Sequence, residues 1–143
     1  MQLEDPAARR EALRAIAPNR ESARANRQLL LSIFEEEMKY RKRDTEWDYF
    51  ENIYWCALLL YLAGDVSDVP LIWKAKHTNM DTGIGMDGQC LVGAGVEATV
   101  RMLKATNQSE ILSYVEGMDE YGDLVDLAGW EKSRIEYFYG NSA

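Results

Sequence analysis

Residues 47–64, WDYFENIYWCALLLYLAG, constrain the fold more than any other stretch of the chain. Apolar side chains at Trp47, Phe50, Tyr54, Ala57, Leu58 and Tyr61 recur at the three-and-four spacing that stacks residues on one helix face. Tyr49, Ile53, Cys56, Leu60 and Ala63 cover the other side. A helix that is apolar nearly all round from Ile53 onward has to be enclosed by the rest of the chain, so a central helix over 46–63 is expected. Thr45, with Asp48 three residues on, reads as its N-terminal cap, and Gly64 as its left-handed closing residue. At about 1.5 Å per residue this helix spans roughly 25 Å, the width of a small domain; its polar start leaves it too short for a membrane span.

A chain of 143 residues fits one helical domain over 1–143, with enough surface to bury for a core that needs neither disulfide nor metal. Its N-terminus, MQLEDPAARR, carries charges where a secretory signal needs an apolar run, which points to the cytoplasm. Cys56 and Cys90 fall in segments that read as buried helix, so buried thiols are expected rather than a disulfide. The net charge of −8 is divided unevenly, +3 over residues 1–43 and −11 over 44–143. An acidic surface of this size repels phosphate backbones and favours a basic partner, so neither nucleic acid nor membrane is expected as a ligand.

Asp5-Pro6 opens a helix that Pro18 closes, and its thin stripe of Ala12, Leu13 and Ile16 makes residues 1–18 a peripheral or fraying element. A second helix is expected from Arg20 to Tyr40. Lys39, Arg41, Lys42 and Arg43 at its C-terminus complement the helix dipole, and Glu35-Glu36-Glu37 read as a solvated face. Ser67 or Asp68 can cap a helix starting near Pro70, which runs into the turn-rich residues 77–88. A helix from about Gln89 to Ala105 carries Gly93 and Gly95, whose cost inside a helix implies close approach to another backbone. Ser109 and Asp123 are expected to cap the last two helices, the second ending at Gly140. The result is an all-α fold of six or seven antiparallel helices, either an irregular bundle or short HEAT-like hairpins around the central helix.

Catalytic and metal patterns are sparse. His77 is the sole histidine, which excludes a ferritin-type di-iron site, and the two cysteines lie too far apart for a zinc pattern. Asp81 and Asp87 lack the alternating donors and closing Glu of a calcium loop. Gly93-Ala94-Gly95-Val96-Glu97-Ala98 fits G-x-G-x-x-G/A, but the flanking strands of a dinucleotide-binding unit are missing. His77, Asp81 and Asp87, with Gln89 beside them, share one loop and make an acid/base set conceivable, although loop carboxylates more often cap or brace neighbouring helices.

Residues 55–103 carry more specific wording: a helix ending LAGD, then DVPLIWKAK, an Asp-Thr-Gly turn at Asp81–Gly83, and Asp87-x-Gln89-x-Leu91-Val92-Gly93-Ala94-Gly95-Val96. This stretch resembles a family of small intracellular immunity proteins of bacterial polymorphic toxin systems. The resemblance implies an all-helical cytoplasmic protein that neutralises a cognate toxin domain without enzymatic activity; no cofactor is expected, and the sequence leaves monomer and homodimer both open. An acidic inhibitor suits a basic toxin site built for phosphate-bearing substrates, and the acid-rich end formed by Glu110, Glu116, Asp119, Glu120, Asp123 and Asp126, with Tyr114 and Tyr121 as aromatic anchors, is the expected toxin-binding patch. A helical scaffold or adaptor for another basic partner, and a small enzyme using the Asp81–Asp87 loop, are the alternatives.

Overall fold

A computed structural model describes residues 2–43 and 48–140. The helices among them are α1 Pro6–Arg14, α2 Arg20–Ala25, α3 Arg27–Lys42, α4 Asn52–Ala63, α5 Val69–Lys76, α6 Met80–Gly85, α7 Val96–Ala105, α8 Ser109–Glu120 and α9 Leu127–Tyr139, with short 3-10 helices at Val66–Asp68 and Gly88–Val92. No strand occurs among the described residues. The fold is therefore all-helical, with nine α-helices among these residues in place of six or seven.

Helix α4 is the enclosed element. Every residue from Ile53 to Ala63 except Tyr54 is buried, and α1, α2, α3, α9 and the Gly88–Val92 turn all pack on it. Trp55 stacks on Phe138 at 5.3 Å and meets Tyr139 edge-on at 5.2 Å, while Tyr61 meets Trp130 at 5.0 Å, so aromatic pairs fasten α9 along its length. Gly64 closes α4 at φ 67°, in the left-handed region a helix stop favours. Cys56 and Cys90 are free and buried. Leu58, 1% exposed at the centre, is expected to cost about 2–5 kcal/mol when truncated to alanine, measured by denaturant unfolding. A loss below about 1 kcal/mol would contradict its place in the core.

Several boundaries differ from the sequence reading for local reasons. Helix α4 begins at Asn52 rather than 46, because Tyr49 sits at φ 60° and interrupts any helix before it; Thr45 and Trp47 lie outside the described residues. The expected helix 20–40 is two helices broken at Asn26, whose side-chain amide bonds Ser22 O and ends α2. The Gln89–Ala105 segment is a 3-10 turn followed by α7, separated at Gly95, whose φ of 100° no helix contains. Helix α1 is held in place by Leu13 and Ile16, both buried, and by Tyr139, whose hydroxyl donates to Ile16 O at 2.7 Å.

Candidate functional site

The 77–88 segment, read from sequence as a loop, contains α6. Asn79 Oδ1 accepts from Thr82 N and Thr82 Oγ1 from Asn79 N, a reciprocal cap that starts this six-residue helix despite two glycines in it. Lys76, at the end of α5, is buried and donates from Nζ to Gly83 O at 2.6 Å and Met86 O at 2.5 Å, taking up carbonyls near the end of α6. Burial holds its ammonium below the usual lysine range, opposed by the charge of Asp87. Asp87 in turn accepts from Trp130 Nε1 at 2.9 Å and so braces α9. A Cβ on Gly93 would stand 2.1 Å from Tyr61 O, the close backbone approach its sequence implies, and one on Gly88 would strike Tyr114 and Met118. Much of the distinctive wording of residues 74–93 is thus spent on bracing α5, α6 and α9 around α4.

The acid/base set is not assembled. His77 Nδ1 bonds Trp73 O at 2.8 Å and lines a cleft with Lys39, Lys42 and Lys74; Asp81 lines another with Arg41 and Tyr54; Asp87 lines a third beneath Trp130. The three residues face three separate clefts, so the loop brings no proton donor and acceptor onto a common point. Gln89 Nε2 reaches Asp123 O at 3.3 Å, a tie between the 3-10 turn and the α8–α9 connection. No cluster of three or more His, Cys, Asp or Glu able to hold a metal occurs among the described residues, and none of the described helices is long and apolar enough to cross a membrane.

The acidic end is a continuous piece of chain, α8 and the turn into α9. Glu110, Glu116, Asp119, Glu120, Asp123 and Asp126 are all exposed, and residues 105–131 contain no Lys or Arg. None of these six forms an ion pair among the described residues. Between them Tyr121 and Val125 stand 83% and 84% exposed. Tyr114 belongs to the packing: it is half-buried and meets Trp73 at 5.2 Å, and burial raises its hydroxyl above the ordinary tyrosine range, helped by Asp123 and Asp87. The cap of α9 is Asp126, accepting from Gly129 N at 3.0 Å, in place of Asp123, because the turn through residues 124–126, with Leu124 buried, separates Asp123 from the helix. Ser109 is the first residue of α8 rather than its cap, and Gln108 precedes it without a capping side-chain bond.

Two features escaped the sequence reading. Glu37, read as solvated, is fully buried: its Oε2 accepts from Arg9 Nε and from Asn52 Nδ2, and Asn52 Oδ1 accepts from Arg10 Nε at 2.9 Å. Burial pushes the Glu37 carboxyl above its ordinary range, with Arg9 and then Asn52 pulling the other way. The second is Arg41, read as a dipole-complementing surface cation yet only 7% exposed, lining a cleft with Phe50, Tyr54 and Asp81. The spacing of Leu30, Ile33, Phe34, Glu37 and Arg41 along the inward stripe of α3 was the available signal for both.

Comparison with protein-family models, curated proteins and solved structures gives no match for this chain.

Proposed function

We propose that this protein is an immunity-type inhibitor, binding a cognate bacterial toxin domain stoichiometrically through the acidic face of α8 and the α8–α9 turn. The observation that carries the reading is the exposed run of Glu116, Asp119, Glu120 and Asp123 around Tyr121 and Val125, unpaired among the described residues. Surface carboxylates already neutralised by local lysines gain little from a partner, whereas unpaired ones steer a basic domain toward the face and exclude acidic competitors. Exposed Tyr121 supplies the rigid aromatic contact that such interfaces concentrate energy on. A basic cleft shaped for phosphate-bearing substrates is the complementary surface, and covering it blocks turnover without chemistry in the inhibitor. An adaptor for another basic protein would use the same face, and inhibition of an isolated toxin activity separates the two.

Affinity capture from the native cell identifies the partner, and stopped-flow mixing then tests the face. Reversing Glu116, Asp119, Glu120 and Asp123 to Lys is expected to slow association about tenfold or more and to remove most of the salt dependence, which for the wild type falls steeply as the Debye length shortens below about 10 Å. Circular dichroism should be unchanged, since none of these four side chains caps a helix or forms an ion pair among the described residues. A folded quadruple variant that associates and protects as the wild type does would remove this face from the mechanism.

A further inference from the structure

Arg41 is a buried cation with unmet demand. Its Nη1 donates to Phe50 O at 3.2 Å, its Nε has no acceptor, and no carboxylate lies within ion-pair distance among the described residues. The carboxylate whose field it shares, Glu37, is already engaged by Arg9 and Asn52. The guanidinium lines a cleft of about 400 Å³ together with Phe50, Tyr54 and Asp81, its Cζ 5.9 Å from the Tyr54 ring centre. Tyr54 donates its hydroxyl to Asp81 O at 3.1 Å, which fixes α6 beside the start of α4. Next to the cleft α6 presents Met80 and Ile84, 80% and 78% exposed and four residues apart on one helical face, and Phe50 is 45% exposed. Large apolar side chains exposed beside a largely apolar cleft mark an interaction surface more often than a solvated one.

We propose that this cleft is a second protein-docking site, separate from the acidic face, which receives a partner segment carrying an Asp or Glu flanked by a large apolar residue. The incoming carboxylate meets the edge of the Arg41 guanidinium that lines the cleft, while the enclosed Nε stays out of reach, and the planar group loses little mobility on pairing because it is already held. The apolar neighbour lies against Phe50, Met80 and Ile84. Charge complementarity sets the sign of the occupant, and the apolar surface sets its size: a small carboxylate filling the cleft would leave Met80 and Ile84 uncovered. Exposed Asp81 on the rim disfavours a segment of several consecutive acids, so one carboxylate among apolar residues is the preferred pattern.

The test uses isotope-labelled full-length protein and two acetylated, amidated nonapeptides that differ only in a central Leu-Glu-Phe or Leu-Gln-Phe. The Glu peptide is expected to shift the Arg41 Nε–H and the Met80 and Ile84 methyl resonances saturably, and the Gln peptide to bind about tenfold more weakly. Ile84→Ser, at an exposed position, is expected to weaken the Glu peptide severalfold without lowering the melting temperature, which keeps the test open should Arg41→Lys fail to fold. Equal binding of the two peptides, or no saturable shift at millimolar peptide, overturns the proposal. Phenylacetate binding as tightly as the Glu peptide overturns it in favour of a small-molecule site, and concentration-dependent dimerisation abolished by Ile84→Ser overturns it in favour of a second copy of this chain. None of these readouts depends on the acidic face being used.

Discussion

Replacing Gly93 by alanine is expected to destabilise the protein by about 3 kcal/mol or more, at or above the upper end of ordinary overpacking. The added Cβ would stand 2.1 Å from Tyr61 O and 2.8 Å from Tyr61 C and Cα, all backbone atoms of α4 that no rotamer change can move aside. Relief requires the Gly88–Val92 turn to lift off the central helix, uncovering Cys90, Leu91 and Val92, which are buried there. Two other glycines separate space from conformation. Gly95 has nothing within 4 Å but sits at φ 100°, so Gly95→Ala should cost about 1–3 kcal/mol through backbone strain alone. Gly117, inside α8 with open space around it, should gain about 0.5–1 kcal/mol as alanine. Urea melts of the three variants check the ranking, and a Gly93→Ala loss no larger than that of Gly95→Ala would mean the α4 contact is looser than its geometry implies.

The same contact shows what could be read ahead of the structure. Burial of α4 was legible because a segment apolar on every side has one place to go, and Gly64 announced its end. The glycines at 93 and 95 announced a close approach, but a propensity reading could not tell a helix with two weak positions from a 3-10 turn, a break and a new helix. Helix α6 was illegible for the opposite reason: MDTGIG is a poor helical sequence, held by the Asn79–Thr82 cap and by Lys76 reaching across from α5, and such tertiary partners leave no local pattern. The break at Asn26 comes from one side-chain amide competing for a backbone carbonyl, a choice that Arg20–Tyr40 amphipathicity does not register.

For the site, sequence supplied charge and missed burial. The acids of α8 could be placed on an exposed helix end from their clustering, and they are exposed; the cap expected at Asp123 is made by Asp126, one turn on. Glu37 and Arg41 were misjudged because charged residues are assigned to the surface by habit, although both fall on the stripe of Leu30, Ile33 and Phe34. Asp81, Asp87 and His77 are neighbours in sequence but face different clefts, since Asp81 lies within α6 while His77 precedes that helix and Asp87 follows it.

The second large effect lies in the buried network that joins α1 to α3 and α4. Arg9→Leu is expected to cost about 3–5 kcal/mol at neutral pH, because it leaves Glu37 fully buried without its cation and removes the bond from Arg9 Nη1 to Leu3 O at 2.5 Å. The sign of the pH dependence follows from the raised Glu37 carboxyl. A carboxylate whose folded pKa stands above its ordinary 4.5 contributes stability that is fully present below that value and is lost as pH rises through the folded pKa, since the native state holds the proton longer than the unfolded chain. Removing Arg9 raises the folded value further, so the Arg9→Leu variant should regain stability as pH is lowered toward 4.5, over a wider window than the wild type. Glu37→Gln removes the counter-charge of the Arg9 cation, itself 1% exposed, and should cost about 3–5 kcal/mol at neutral pH because a buried charge is again left unpaired. Adding Glu37→Gln to Arg9→Leu should recover much of the Arg9→Leu loss, as no unpaired buried charge remains at that point. Melting temperatures of the four proteins between pH 4 and 8 decide the matter: a pH-independent Arg9→Leu loss, or a double variant no more stable than either single one, would show that an uncompensated buried charge does not govern this cluster.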